Sequence, residues 1–212
     1  NATHIVVAQL IKNEIEKSSR PTDILRRNSC ATRSLSMLAR SKGNEYLIRT
    51  LQPLLKKIIQ NRDFFEIEKL KPEDSDAERQ IELFVKYMNE LLESISNSVS
   101  YFPPPLFYIC QNIYKVACEK FPDHAIIAAG SFVFLRFFCP ALVSPDSENI
   151  IDISHLSEKR TFISLAKVIQ NIANGSENFS RWPALCSQKD FLKECSDRIF
   201  RFLAELCRTD RT

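Results

Sequence analysis

The sequence predicts an all-α fold, a single helical domain, on three observations. Apolar residues recur at steps of three and four over long stretches. No stretch alternates apolar and polar residues between turn signals, and only 3 glycines occur in 212 residues, far below ordinary usage. At 44% hydrophobic residues, spread throughout, the chain can bury one sizeable core and is too apolar to be disordered over most of its length.

The elements follow in order. An N-terminal helix is broken by the run Ser18-Ser19-Arg20-Pro21-Thr22-Asp23. Asn28 and Ser29, both good N-cap types, start a second helix that carries Leu35, Met37 and Leu38 to Gly43. Lys69 to Asp76 is a charged link whose Pro72 cannot sit inside a helix. Over 76–100, Ile81, Phe84, Val85, Met88, Leu91, Leu92, Ile95 and Val99 form one apolar stripe, with Asp74 and Ser75 as N-caps. Pro103-Pro104-Pro105 ends that helix and starts the next, which carries Leu106, Ile109, Ile113 and Val116 and stops near Pro122. Val143 to Glu148 is a loop, and a last helix carries Phe191, Leu192, Cys195, Ile199, Phe202, Leu203 and Leu206. No loop is long enough to be a linker and no repeat of 30–50 residues is visible, so one domain is expected over 1–212. It begins at Asn1 rather than methionine, which reads as a piece of a larger protein.

Composition excludes several functions. Gly43, Gly130 and Gly175 are scattered, so the clustered glycines of a phosphate cradle or a dinucleotide fingerprint are absent. The 7 cysteines form no CxxC pair and are odd in number, and the 3 histidines are widely spaced. No metal site or disulfide framework is expected, and the cysteines read as reduced, mostly buried thiols of a cytosolic protein. The net charge of +3, with basic and acidic residues interspersed, argues against nucleic acid. A self-contained enzyme lacks its clustered catalytic groups.

Two stretches stand apart. From Ala125 to Pro140 the only formal charge is Arg136. The length suits a membrane span, but an arginine there costs about 2.5–3.5 kcal/mol and a proline follows, so a core helix is expected. A guanidinium that is mostly buried must find carbonyls or carboxylates. Arg136 is then a clamp on a neighbouring loop, either purely structural or because that loop is the working one. The second stretch is Thr22 to Arg33, where Arg26 and Arg27 precede the N-cap pair. These arginines read as a solvated pair, as a nucleic-acid contact, or as a projection toward a partner's phosphate.

Together these stretches resemble a known family. Phe134-Leu135-Arg136-Phe137-Phe138-Cys139-Pro140-Ala141-Leu142-Val143-Ser144-Pro145 is similar to the FLRxxxPAxxxP signature of Ras GTPase-activating (RasGAP) domains. Ile24 to Thr32 resembles their arginine-finger segment, and Ala166-Lys167-Val168-Ile169-Gln170-Asn171-Ile172-Ala173-Asn174 resembles their third block. The blocks stand in family order over 24–174, and the likeness is greatest to the neurofibromin branch with its yeast inhibitory regulators of the Ras–cyclic-AMP pathway. The resemblance implies a RasGAP catalytic domain, cytoplasmic and peripheral at membranes through lipid-anchored Ras, that switches GTP-bound Ras off. Arg26 matches the catalytic finger, and Arg136 the second arginine that steadies the finger loop, which Asn28, Ser29 and Thr32 shape. Leu135, Lys167, Gln170 and Asn174 match the Ras-binding groove, and no cofactor is implied because GTP and Mg²⁺ belong to Ras. Arg27 stands where the family has a small residue, so two arginines compete for the finger role; register favours Arg26. Leu25 and Cys139 also depart from the common residues. A non-catalytic GAP-like scaffold and a generic helical interaction module are the other readings.

Overall fold

The computed structural model describes residues 2–208. Eight α-helical segments make up the fold, and no strand occurs among the described residues. They are α1 (Thr3–Lys17), α2 (Cys30–Asn61), α3 (Ala77–Asn97), α4 (Pro104–Lys120), α5 (Ala125–Gly130), α6 (Cys139–Val143), α7 (Leu156–Ala173) and α8 (Lys189–Cys207).

The periodic segments bury the stripes their spacing demands. In α3 the residues Ile81, Phe84, Met88, Leu91, Leu92 and Ile95 are buried, and α8 buries Leu192, Cys195, Ile199, Phe202, Leu203 and Leu206 against it. Three expectations are corrected. The helix beginning after Ser29 does not stop at Gly43 but runs to Asn61, through Pro53. Pro53 is exposed, so the backbone bond its ring removes faces water, and Arg62 closes the helix in a left-handed conformation (φ 54°). The N-cap of α3 is Asp76, whose side chain makes no capping bond; Asp74 instead accepts from the Lys71 amide at 2.8 Å. That helix ends at Asn97, and a 3₁₀ turn, Ser98–Tyr101, leads to the proline run.

The apolar segment lies in the middle of the molecule. Between α5 and α6 the helix widens into a π-helix, Ser131–Phe138, without breaking. Of its most apolar window 67% is buried, packed among α2, α4, α7 and α8. All seven cysteines are free thiols, and four of them, Cys110, Cys139, Cys195 and Cys207, are buried. Burial pushes the thiols of Cys139, Cys195 and Cys207 up to about 12, which keeps them protonated and unreactive.

Candidate functional site

The loop between α1 and α2 is a crest raised on two buried anchors. After a 3₁₀ turn at Pro21–Asp23, Ile24 and Leu25 are both 0% exposed, while Arg26, Arg27 and Asn28 are exposed. Leu25 takes a left-handed backbone (φ 56°), which costs a residue with a Cβ about 1–2 kcal/mol. Burying two aliphatic side chains, at about 1.5–3 kcal/mol each, offsets that cost. The chain reverses at Leu25, and the Arg26 amide bonds to the Asp23 carbonyl at 3.3 Å.

Arg136 holds the crest. Its Nε donates to the Leu25 carbonyl at 2.9 Å, and its Nη2 donates to the carbonyls of Arg26 at 2.9 Å and Arg27 at 3.2 Å. Three consecutive peptide groups are thus fixed by one planar fork, a geometry that an ammonium cannot reproduce. The π-helix supplies the register. Phe132, Phe134, Phe137 and Phe138 turn inward, leaving Leu135 and Arg136 half-buried on the open side. Such wider turns recur at functional sites.

The far side of the crest is tied to α2. Ser29 is its N-cap, accepting from the Thr32 amide at 3.1 Å, while the Ser29 amide donates to Thr32 Oγ1 at 2.9 Å. Thr32 Oγ1 also donates to the Arg27 carbonyl at 2.9 Å, so that oxygen is held from two sides. The Ser29 hydroxyl donates to the carboxylate of Glu14 on α1. Arg27 leans back toward Asp23 at 3.6 Å, whereas the Arg26 side chain has no hydrogen bond or ion pair among the described residues.

A second group lies on α7. Lys167, Gln170 and Asn174 are half-buried at helical spacing on one stripe, and α7 packs on both α6 and the π-helix. The thiol of Cys139 reinforces that packing by donating to the Ala166 carbonyl at 3.4 Å. Lys167 is paired with Glu68, which also binds Arg181 at 3.3 Å. The hydrogen bond from Lys167, then the positive charges of Lys167, Arg181 and Lys69, hold the Glu68 carboxyl below its ordinary range. Asn174 caps α7, ahead of Gly175 at φ 72°.

The structure therefore brings the predicted residues into two groups, Arg26 to Thr32 with Arg136, and the α7 stripe. The partners Glu14 and Glu68 escaped sequence reasoning. Glu68 lies 99 residues from Lys167, and no spacing rule connects them.

The comparisons with known proteins point one way. The profile of the GTPase-activator proteins for Ras-like GTPases matches residues 6–71 and 65–174. The chain is 54% identical over 208 residues, 98% of its length, to the inhibitory regulator protein IRA1 of Saccharomyces cerevisiae, of which it covers 7%. It is 30% identical to a probable Ras GTPase-activating-like protein, ngap, of Dictyostelium discoideum over 89% of this chain and 21% of that one. To human Ras GTPase-activating protein 1 it is 27% identical, over 95% of this chain and 20% of the relative. The chain thus spans a small part of the length of these relatives.

Proposed function

The chain belongs to the family of GTPase-activator proteins for Ras-like GTPases, and from that premise we propose that it stimulates GTP hydrolysis by GTP-bound Ras, inserting Arg26 in trans as the catalytic finger. The observation that carries this reading is the fork of Arg136 on the carbonyls of Leu25, Arg26 and Arg27, beneath an Arg26 side chain that reaches solvent unpaired among the described residues. A loop held this firmly presents a guanidinium with little left to reorganise on docking.

The chemistry is phosphoryl transfer to water. Negative charge grows on the phosphate oxygens and the leaving group in the transition state, so a guanidinium aimed there stabilises that state more than bound GTP. For the Ras–GAP pair, the reference example of arginine-finger catalysis, the effect is about 10³–10⁵ in rate. At about 1.36 kcal/mol per tenfold it corresponds to roughly 4–7 kcal/mol. An exposed ion pair contributes about 0–1 kcal/mol, so the site must lose its water when the two proteins dock. Leu135 supplies an apolar contact to the docked surface. Lys167, Gln170 and Asn174 hold the partner's polar groups, with Lys167 exchanging Glu68 for an acidic residue of Ras. Nucleotide and Mg²⁺ arrive with the partner, and the domain needs neither for itself. It works in the cytoplasm, peripheral to the membranes where Ras is anchored, and lowers Ras signalling.

The test is hydrolysis by GTP-loaded Ras with the wild-type domain at a tenth of the Ras concentration, beside a direct binding measurement. Multiple turnovers, accelerated by several orders of magnitude, are expected. Binding without acceleration would make the protein a scaffold instead.

A further inference from the structure

Beside Arg136 is a cavity of about 120 Å³ lined by Arg40 of α2, Glu148, Phe137 and Arg136 itself. Glu148 belongs to the loop between α6 and α7, and it is 8% exposed. Its carboxylate is held by Arg40, whose Nε donates to both oxygens at 3.1 Å and whose Nη2 donates to Oε1 at 2.5 Å. The Arg40 side chain is otherwise 68% exposed. Glu148 is also anchored through its backbone, because Asn44 Nδ2 donates to its carbonyl at 2.6 Å, one turn along α2 from Arg40. Its neighbour Asn149 is left-handed, at φ 55°. The backbone that carries the carboxylate is therefore tied to α2.

Arg136 uses Nε and Nη2 on the finger loop, and its Nη1 has no partner among the described residues. One small cavity thus holds a nearly buried carboxylate and a guanidinium with a free edge. A carboxylate is a strong partner for a guanidinium, since both groups are charged and the contact can be bidentate. In the structure Glu148 is taken by Arg40, and Arg136 is on the loop.

We propose that Arg40 is a positioning residue for the finger: by occupying Glu148 it keeps Arg136 on the carbonyls of residues 25–27. This inference rests on the reading of that loop as the catalytic one. Without Arg40, the partly desolvated Glu148 draws Arg136 toward α2, the three loop bonds lengthen, and Arg26 loses its fixed position. Removing the Glu148 charge as well abolishes the competitor, and Arg136 returns to the loop.

The experiment compares wild type with Arg40→Gln, Glu148→Gln and the double variant, each verified as folded by its melting transition. Hydrogen exchange of the backbone amides over residues 24–30 is followed in the free domain, and single-turnover hydrolysis with affinity for GTP-loaded Ras in the complex. In Arg40→Gln, exchange over 24–30 rises at least fivefold and the saturated hydrolysis rate falls about tenfold, with affinity changed less than twofold. Glu148→Gln stays within twofold of wild type on each measure, and the double variant returns to it. A double variant as slow as Arg40→Gln overturns the proposal, as does a loss of affinity at an unchanged rate, which makes Arg40 a direct contact to the partner. Unchanged exchange in Arg40→Gln overturns it as well. Faster exchange, reversed in the double variant, in a domain that stimulates no hydrolysis even as wild type would refute the catalytic reading of the loop and leave the Arg40–Glu148 coupling standing.

Discussion

Gly43→Ala tests the packing that sets the π-helix against α2. A Cβ at Gly43 would stand 2.4 Å from both Cε2 and Cζ of Phe137 and 3.0 Å from Leu106 Cδ1. Ordinary contact begins near 3.4 Å, so the ring must retreat by about 1 Å. It has little room to do so. Phe137 is 3% exposed and lies within 5.5–6.3 Å, centroid to centroid, of the rings of Tyr46, Phe102, Phe132 and Phe138. Overpacking of this kind costs about 1–3 kcal/mol, and the crowded ring cluster favours the upper half of that range. Against it stands the helix propensity that alanine gains over glycine, about 0.8–1 kcal/mol. The net expectation is a destabilisation of about 1–2 kcal/mol. At about 2–4 °C per kcal/mol for a domain of this size, the melting temperature falls by about 2–8 °C. Urea denaturation with an unchanged slope, alongside a thermal melt, reads it directly. A Gly43→Ala variant as stable as wild type or more so would show that propensity wins and that α2 and the π-helix are not in obligatory contact there.

Other perturbations reach different links. Arg136→Lys keeps the charge but loses the fork, so stability falls by about 1–3 kcal/mol in denaturant titration and stimulated hydrolysis falls while binding to Ras persists; full activity would show that charge alone suffices. Ser29→Ala removes the N-cap of α2 and the bond to Glu14, for an expected loss of about 1–2 kcal/mol by the same titration. The Asp63 carboxyl is held below its ordinary range by the Tyr87 hydroxyl first and then by Lys86. Because the folded-state pKa is the lower one, this contribution is complete above the unfolded pKa of about 3.9 and fades as pH falls from there. Asp63→Asn is therefore less stable at neutral pH and loses less on acidification below about pH 4; parallel stability–pH curves would contradict that.

Much of the fold was legible because it is written in local period. The stripes of α3 and α8 follow from three- and four-residue spacing, and the lone charge at Arg136 had to meet carbonyls wherever the segment was buried. The length of α2 was not legible. Nothing in Gly43 or Pro53 says that one is a packing notch and the other a water-facing gap in a continuing helix. The π-register was hidden because a segment apolar on all sides has no period to betray a wider turn. Leu25 gave no sign of its left-handed backbone, since leucine is not a residue type that favours one; burial imposes it. In the candidate site, the arginines, Ser29 and the α7 stripe came from motifs, whereas Glu14, which binds Ser29, and Glu68, which binds Lys167 from 99 residues away, come from other elements, and Arg40 and Glu148 meet across 108 residues. Tertiary structure alone makes them partners.

The central claim, that Arg26 is the group delivered to the transition state, is tested most directly by single-turnover GTP hydrolysis of Ras at saturating domain. Wild type, Arg26→Ala and Arg27→Ala are compared, with binding to GTP-loaded Ras measured on the same preparations. Arg26→Ala is predicted to lose about 10³-fold or more in rate while still binding, and Arg27→Ala to stay within about tenfold of wild type. Loss of stimulation in Arg27→Ala with Arg26→Ala still active would contradict the assignment and move the finger one residue along the loop.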